Sequence, residues 1–151
     1  MGLSKNKTIN SLSADWYTDD KFLKKEINQI FLKSWLLIGP EAQISNPGDC
    51  LFQSIVDQPI VCVRQEDNSI KTFFNICRHR AGSFENKKSK NNNLVCKYHG
   101  WTYSINGQLM SPRGFNKSEI EVEELCLKNI NTKVWKGLIF INFCDKPKNF
   151  G

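Results

Sequence analysis

The chain has 151 residues, 40% hydrophobic, 11% aromatic and 24% charged, with 9 Gly and 5 Pro. That length suits one domain with its own core, and that composition excludes disorder, collagen-like repeats and low-complexity polymer. The formal charge is +6, yet 17 of the 21 cations are scattered Lys and no basic helix is interleaved with stacking aromatics, so nucleic acid is not the expected partner.

Residues 1–15 are polar and rich in Ser, Asn and Lys, which predicts a frayed start. The opening has no apolar core of a signal peptide, and Asn6 stands where a myristoylation signal wants Ser or Thr. Six cysteines without a visible secretion signal point to a reducing, cytoplasmic setting, with thiols as ligands or core residues. From Trp16 the chain takes on order. Thr18 or Asp19 can cap a helix, and Leu23, Ile27, Ile30 and Phe31 recur on one face, predicting a helix over 20–33 within a helical lead of residues 16–34.

The period then changes. Strand-like runs follow at 35–38, 50–56, 60–65, 70–76, 94–96, 102–105, 108–110, 130–135 and 138–142, with Asn106-Gly107 and Lys136-Gly137 as turns. The longest wholly apolar runs, such as 35–38 and 138–141, hold four residues each, against the roughly 20 that a membrane helix needs. No membrane contact is expected. The pattern is all-β behind one N-terminal α-helix; residues 35–144 read as one unit and 145–151 as the start of a following segment. Segment 80–93 lacks any pattern, as functional loops often do, and its run 87–93 could meet an acidic electron donor. Glu119, Glu121, Glu123 and Glu124 read as a solvated acidic face, and Cys50, Cys62, Cys126 and Cys144 as core or partly exposed thiols.

The chemistry is concentrated in two short stretches. The chain has only two histidines, and each lies beside a cysteine: Cys77-Arg78-His79 and Cys96-Lys97-Tyr98-His99, with sixteen residues between His79 and Cys96. Four soft or borderline donors on two loops predict a metal site. Structural zinc is the first rival, but Cys2His2 zinc sets usually arrive as a cysteine pair followed by a histidine pair. Here each loop offers one thiolate and one imidazole. That order suits two adjacent metals, one taking both sulfurs and the other both nitrogens, which is the ligand set of a Rieske 2Fe-2S centre.

The stretches Cys77-Arg78-His79-Arg80-Ala81-Gly82 and Cys96-Lys97-Tyr98-His99-Gly100-Trp101 resemble the Rieske motif. Their wording, with the leading helix and the closing stretch 135–142, is similar to the N-terminal domain of the α subunit of Rieske non-haem iron oxygenases, the aromatic-ring-hydroxylating dioxygenases among them. The resemblance implies an antiparallel β-sandwich with a small cluster-binding subdomain. It also implies a 2Fe-2S cluster on Cys77, His79, Cys96 and His99, with Nε2 of each imidazole facing solvent. Around the ligands, Arg78 and Arg80 are expected to help in docking or in supporting the reduced cluster. Trp101 and Tyr103 are expected to pack over the loops or to serve as ordinary core, Gly82 and Gly100 to permit close backbone approach or only to supply a turn, and Tyr98 to belong to the surroundings of the ligands.

Cytochrome bc-type Rieske proteins carry a further cysteine in each loop, joined as a disulfide, and a Ser two residues after the second His. This sequence has Gly82, Tyr98 and Trp101 at those places. Fewer donors to sulfur predict a potential toward the low end of the Rieske range of about −150 to +300 mV. Two ferric irons, two sulfides and two thiolates sum to zero charge, so an added electron is opposed less than on a cluster with four thiolates.

The resemblance further implies a mononuclear non-haem Fe(II) in the catalytic part of the oxygenase, held by two His and a carboxylate. Both histidines here are committed to the cluster, so this chain is expected to be an N-terminal fragment or separate Rieske half that only transfers electrons. Its expected partners are a ferredoxin or flavin reductase donor and the oxygenase catalytic domain or subunits, in a possible homotrimer. The alternative is a free-standing Rieske-type ferredoxin, whose usual form lacks the helical lead.

Overall fold

The computed structural model describes residues 11–85 and 92–150. A short helical turn, α1 (Asp15–Thr18), precedes helix α2 (Asp20–Gln29). The Asp19 side chain accepts from Lys21 N at 2.9 Å and caps α2, as the sequence predicts. Regular helix ends at Gln29 rather than Lys33. Ile30, at φ −115° and ψ −69°, departs from helical geometry, and Lys33 N and Ser34 N turn to Ile30 O and Phe31 O in a 3-10 turn (Phe31–Lys33). No residue of α2 is buried, and Leu23 and Ile30 of its apolar side stand more than half exposed.

Nine strands follow: β1 (Leu36–Pro40), β2 (Cys50–Ile55), β3 (Gln58–Arg64), β4 (Ile70–Phe74), β5 (Asn93–Val95), β6 (Thr102–Ser104), β7 (Leu109–Ser111), β8 (Asn129–Trp135) and β9 (Leu138–Asn142). Six form an antiparallel sheet in the order β1-β9-β8-β4-β3-β2, and β5-β6-β7 form a second, three-stranded sheet. Each expected run is present within two residues at either end. Gln53 Nε2 of the β2 edge donates to Ile38 O of the β1 edge at 3.4 Å, so the large sheet curls until its edges nearly meet. Inside it lie Ile38, Ile44, Ile60, Cys62, Ile70, Ile130, Ile139 and Ile141. All but Cys62 are β-branched Ile, which packs well on a pleated surface.

A second core joins the two sheets through Val61, Val63, Phe73, Phe84, Trp101 and Tyr103. Phe73 of β4 rests on Gly107, where an added Cβ would come within 2.5 Å of the ring. Arg64 is buried and anchors the corner before β2, donating from Nε to Ile44 O at 2.7 Å and pairing with Glu41 at 3.1 Å. Of the expected frayed start at 1–15, residues 1–10 fall outside the described residues, as does most of the run 87–93, while Asp15 already belongs to α1. Three 3-10 turns, Glu41–Ile44, Lys117–Glu119 and Val122–Leu125, were not expected. The acidic face expected at Glu119 is exposed, and Glu119 also closes a capping box with Asn116.

Candidate metal centre

Two loops leave the second core side by side with the same backbone closure. In the first, Cys77 N donates to Gly82 O at 2.7 Å and Ala81 N to Cys77 O at 3.0 Å. In the second, Cys96 N donates to Trp101 O at 2.8 Å and Gly100 N to Cys96 O at 3.0 Å. The residue four beyond each cysteine takes a left-handed conformation, Ala81 at φ 54° and Gly100 at φ 73°. Both cysteines therefore start an identical tight turn, and both point inward, Cys77 2% and Cys96 3% exposed.

The histidines lie at the solvent side of the same turns and are partly exposed. Their ring centroids are 4.8 Å apart. His79 stacks on Trp101 at 4.7 Å with 6° between planes, and His99 stacks on the exposed ring of Tyr98 at 3.8 Å. Partial desolvation, then His99 and Arg80, hold the His79 imidazole below its ordinary range. Burial pushes the Cys77 thiol up, against backbone and Tyr103 hydrogen bonds that pull it down, and the neighbouring Cys96 adds to the rise.

The two loops pack closely at Gly82. An added Cβ at Gly82 would lie 2.7 Å from Cys96 Sγ and 2.9 Å from Tyr98 Cβ, so only glycine fits between the loops. The loops are also tied by Lys97 N donating to Ser83 O at 3.3 Å and by the Lys97–Glu85 ion pair. Among the described residues no three His, Cys, Asp or Glu side chains converge on one point. The four donors come as a buried sulfur pair and an exposed nitrogen pair, which suits two bridged metal ions better than one tetrahedral ion.

Tyr103 is fully buried beneath the first loop. Its hydroxyl accepts from Arg78 N at 3.2 Å and lies 3.5 Å from Cys77 Sγ, to which it is the donor when the sulfur is a thiolate. Burial, and then Cys77, push its phenol up. Arg78 and Arg80 are exposed and have no ion-pair partner among the described residues. The structure thus brings together all eleven residues singled out in the sequence.

Three neighbours were missed. Asn75 clamps the first loop: its Nδ2 donates to Phe84 O at 3.1 Å, and its Oδ1 accepts from Phe84 N at 2.8 Å. Phe115 sets its ring edge against His79 and Trp101. Arg113 lies against Gly100. Its signal was available, because arginine is as rare at 113 as at 78 and 80 in this Lys-rich chain. Of the remaining thiols Cys50 and Cys62 are buried, and burial pushes Cys62 up to about 11.

A family model for the Rieske [2Fe-2S] domain matches residues 34–122, more than half of the chain. The chain belongs to the Rieske [2Fe-2S] domain family. It is 32% identical over 138 residues to the glycine betaine monooxygenase oxygenase subunit of Pseudomonas aeruginosa strain UCBPP-PA14, a match covering 91% of this chain and 32% of that subunit. It is 36% identical over 138 residues to the benzene 1,2-dioxygenase α subunit of Pseudomonas putida strain F1, covering 84% of this chain and 29% of that subunit. Among solved structures, the quaternary ammonium Rieske monooxygenase CntA with L-carnitine superposes at a TM-score of 0.83 with 25% identity, over 89% of this chain and 39% of CntA. Naphthalene 1,2-dioxygenase with indole bound superposes at 0.77 with 28% identity, over 87% of this chain and 31% of that chain.

This Rieske domain therefore spans about a third of the length of the curated relatives it matches. Its cofactor is the Rieske [2Fe-2S] cluster, and the donor set fits that group: two buried thiols, two outward imidazoles and a loop contact too close for a side chain. No helix among the described residues is long and apolar enough to cross a membrane.

Proposed function

We propose that Cys77 and Cys96 hold one iron of the [2Fe-2S] cluster and His79 and His99 the other, and that this Rieske domain delivers single electrons to an oxygenase centre outside these 151 residues. The observation that carries the proposal is the layering of the site: buried thiols on two equivalent turns, with two imidazoles above them at the surface. The cluster, when bound, supplies a one-electron store. The chain's own residues do the rest. Cys77 and Cys96 keep anionic sulfur away from water, Trp101 dries one face of His79, and the exposed imidazole edges leave a short route to whatever docks there.

Support for the oxygenase reading over a diffusible ferredoxin lies in the extent of the match. An alignment spanning 91% of the chain necessarily includes α2, which lies outside the Rieske family model. An electron donor and an oxygenase catalytic partner, in the manner of ferredoxin or reductase and α subunits, are the partners this reading requires. Both histidines of the chain serve the one site, so the oxygen-activating iron must be held by other residues.

The test is iron and acid-labile sulfide analysis with EPR on anaerobically purified, reduced protein. Two irons, two sulfides and a Rieske-type spectrum that is lost in both His79→Ala and His99→Ala are expected. A single divalent ion without sulfide would overturn the proposal.

A further inference from the structure

The mouth of the site has a third wall that belongs to neither ligand loop. Beyond β7 the chain turns at buried Pro112, and Phe115 N closes the turn by donating to Pro112 O at 2.9 Å. Trp101 Nε1 reaches out of the second loop to donate to Arg113 O at 3.3 Å. This anchored turn sets Phe115 edge-on to His79 at 5.7 Å and lays the Arg113 side chain along the second loop. Arg113 Cδ and Nη1 lie 3.4 and 3.5 Å from where a Gly100 side chain would begin, one residue from His99.

The charge here is uncompensated. Arg113 shares an open cleft of about 620 Å³ with His79, Cys96, Lys97, Tyr98 and His99, and no carboxylate among the described residues lines it. Lys97 is paired with Glu85, whereas Arg113 has no ion-pair partner among the described residues. An exposed guanidinium that lies along a loop without an ion-pair partner among the described residues acts on charge that arrives from elsewhere.

We infer that Arg113 is an electrostatic residue of this centre, its positive charge favouring the state in which the site has gained one electron. The inference rests on the cluster assignment proposed above. One electron arrives from a reductant, which is oxidised; no bond forms or breaks, and the arriving negative charge is what the guanidinium attracts. The anchor on this turn is the Arg113 carbonyl rather than its side chain, so replacing the side chain leaves the wall in place.

The test is an EPR-monitored dithionite titration of cluster-loaded protein, comparing wild type with Arg113→Gln, Arg113→Lys and, as a distant control, Lys133→Gln on β8. In Arg113→Gln the reduction equilibrium is expected to weaken about three- to tenfold, about 30 to 60 mV for one electron. Arg113→Lys and Lys133→Gln should stay near wild type. Added salt should lower the wild-type potential and narrow the gap to Arg113→Gln. Equal potentials in wild type and Arg113→Gln, or equal shifts in the Gln and Lys variants, would overturn the role of Arg113 while leaving the cluster assignment intact. A wild-type potential indifferent to salt would overturn it too, without reliance on any variant folding. Absence of a Rieske signal from wild type would instead remove the cluster assignment itself.

Discussion

The two ligand-bearing loops share a backbone and differ in almost everything attached to it. Both close with the same pair of main-chain hydrogen bonds and the same left-handed residue, so each cysteine is placed by backbone geometry alone. The imidazoles are placed by neighbours. His79, two residues after its cysteine, is held between Trp101 and Phe115, whereas His99, three residues after, has only the exposed ring of Tyr98 stacked on it. The first loop is also clamped at its base by Asn75, while the second is steadied by the Trp101 anchor to the 112–115 turn. The sulfur end of such a site is thus set by turn chemistry and the nitrogen end by packing, and substitutions in the two classes should fail in different ways.

The largest expected effect comes from the one position the loops share. Gly82→Ala places a methyl 2.7 Å from Cys96 Sγ and 2.9 Å from Tyr98 Cβ, and neither atom is the far end of a flexible side chain that could swing away. Loss of the cluster's visible absorption in an otherwise folded protein is expected. Full retention would show that the loops separate more freely than their geometry suggests. Asn75→Ala should come next, because two hydrogen bonds to the buried Phe84 vanish and its backbone groups are left unpaired, at about 1–3 kcal/mol. Faster cluster loss to an iron chelator is the readout. Asn75→Asp, which keeps the acceptor for Phe84 N but not the donor to Phe84 O, should fall between the alanine variant and wild type.

The left-handed residues offer a finer comparison. Gly100→Ala forces a Cβ into a conformation that costs L-residues about 1–2 kcal/mol, with Arg113 only at ordinary contact distance. Ala81→Gly relieves that same strain but adds backbone freedom to the unfolded chain, about 0.5–1 kcal/mol, so it should be near neutral. Urea unfolding of the two apo variants separates these outcomes. Equal destabilisation by both would mean that the loops are not equivalent turns.

Legibility in the sequence followed the same division. The large sheet was readable because strands such as β3 and β9 carry β-branched runs between turn residues, and the ligand set because two His beside two Cys is a rare composition. Helix α2 was readable as a helix, from its cap and spacing, but not in its packing: Leu23 and Ile30 look like a core face and lie exposed. Its end was misjudged because apolar spacing continues through Ile30 and Phe31 after the hydrogen-bond ladder has tightened to 3-10. Asn75 was invisible for a different reason. Its partner, Phe84, lies across a loop without periodicity, and nothing local marks a side chain that pairs with backbone nine residues away. Phe115 and the 112–115 turn reach the site only through tertiary contact with Trp101.

A small expected effect on potential separates the two sulfurs. Cys77 has the Tyr103 hydroxyl at 3.5 Å, whereas no hydroxyl is within hydrogen-bond reach of Cys96 Sγ among the described residues. A thiolate has no hydrogen to give, so with Cys77 as a ligand the hydroxyl hydrogen is directed at its sulfur while the oxygen accepts from Arg78 N. A donor to a thiolate favours the electron-richer state of a Rieske centre, so Tyr103→Phe should lower the midpoint potential. A net hydrogen bond of about 1 kcal/mol corresponds to about 40 mV for one electron. The phenylalanine ring keeps its edge contact with Phe84, and the freed Arg78 amide is close enough to the surface to find water, so the fold and the cluster should survive. An unchanged potential with an intact EPR spectrum would mean that the hydroxyl serves Arg78 alone and that the two thiolates, like the turns that carry them, are electrostatic equals.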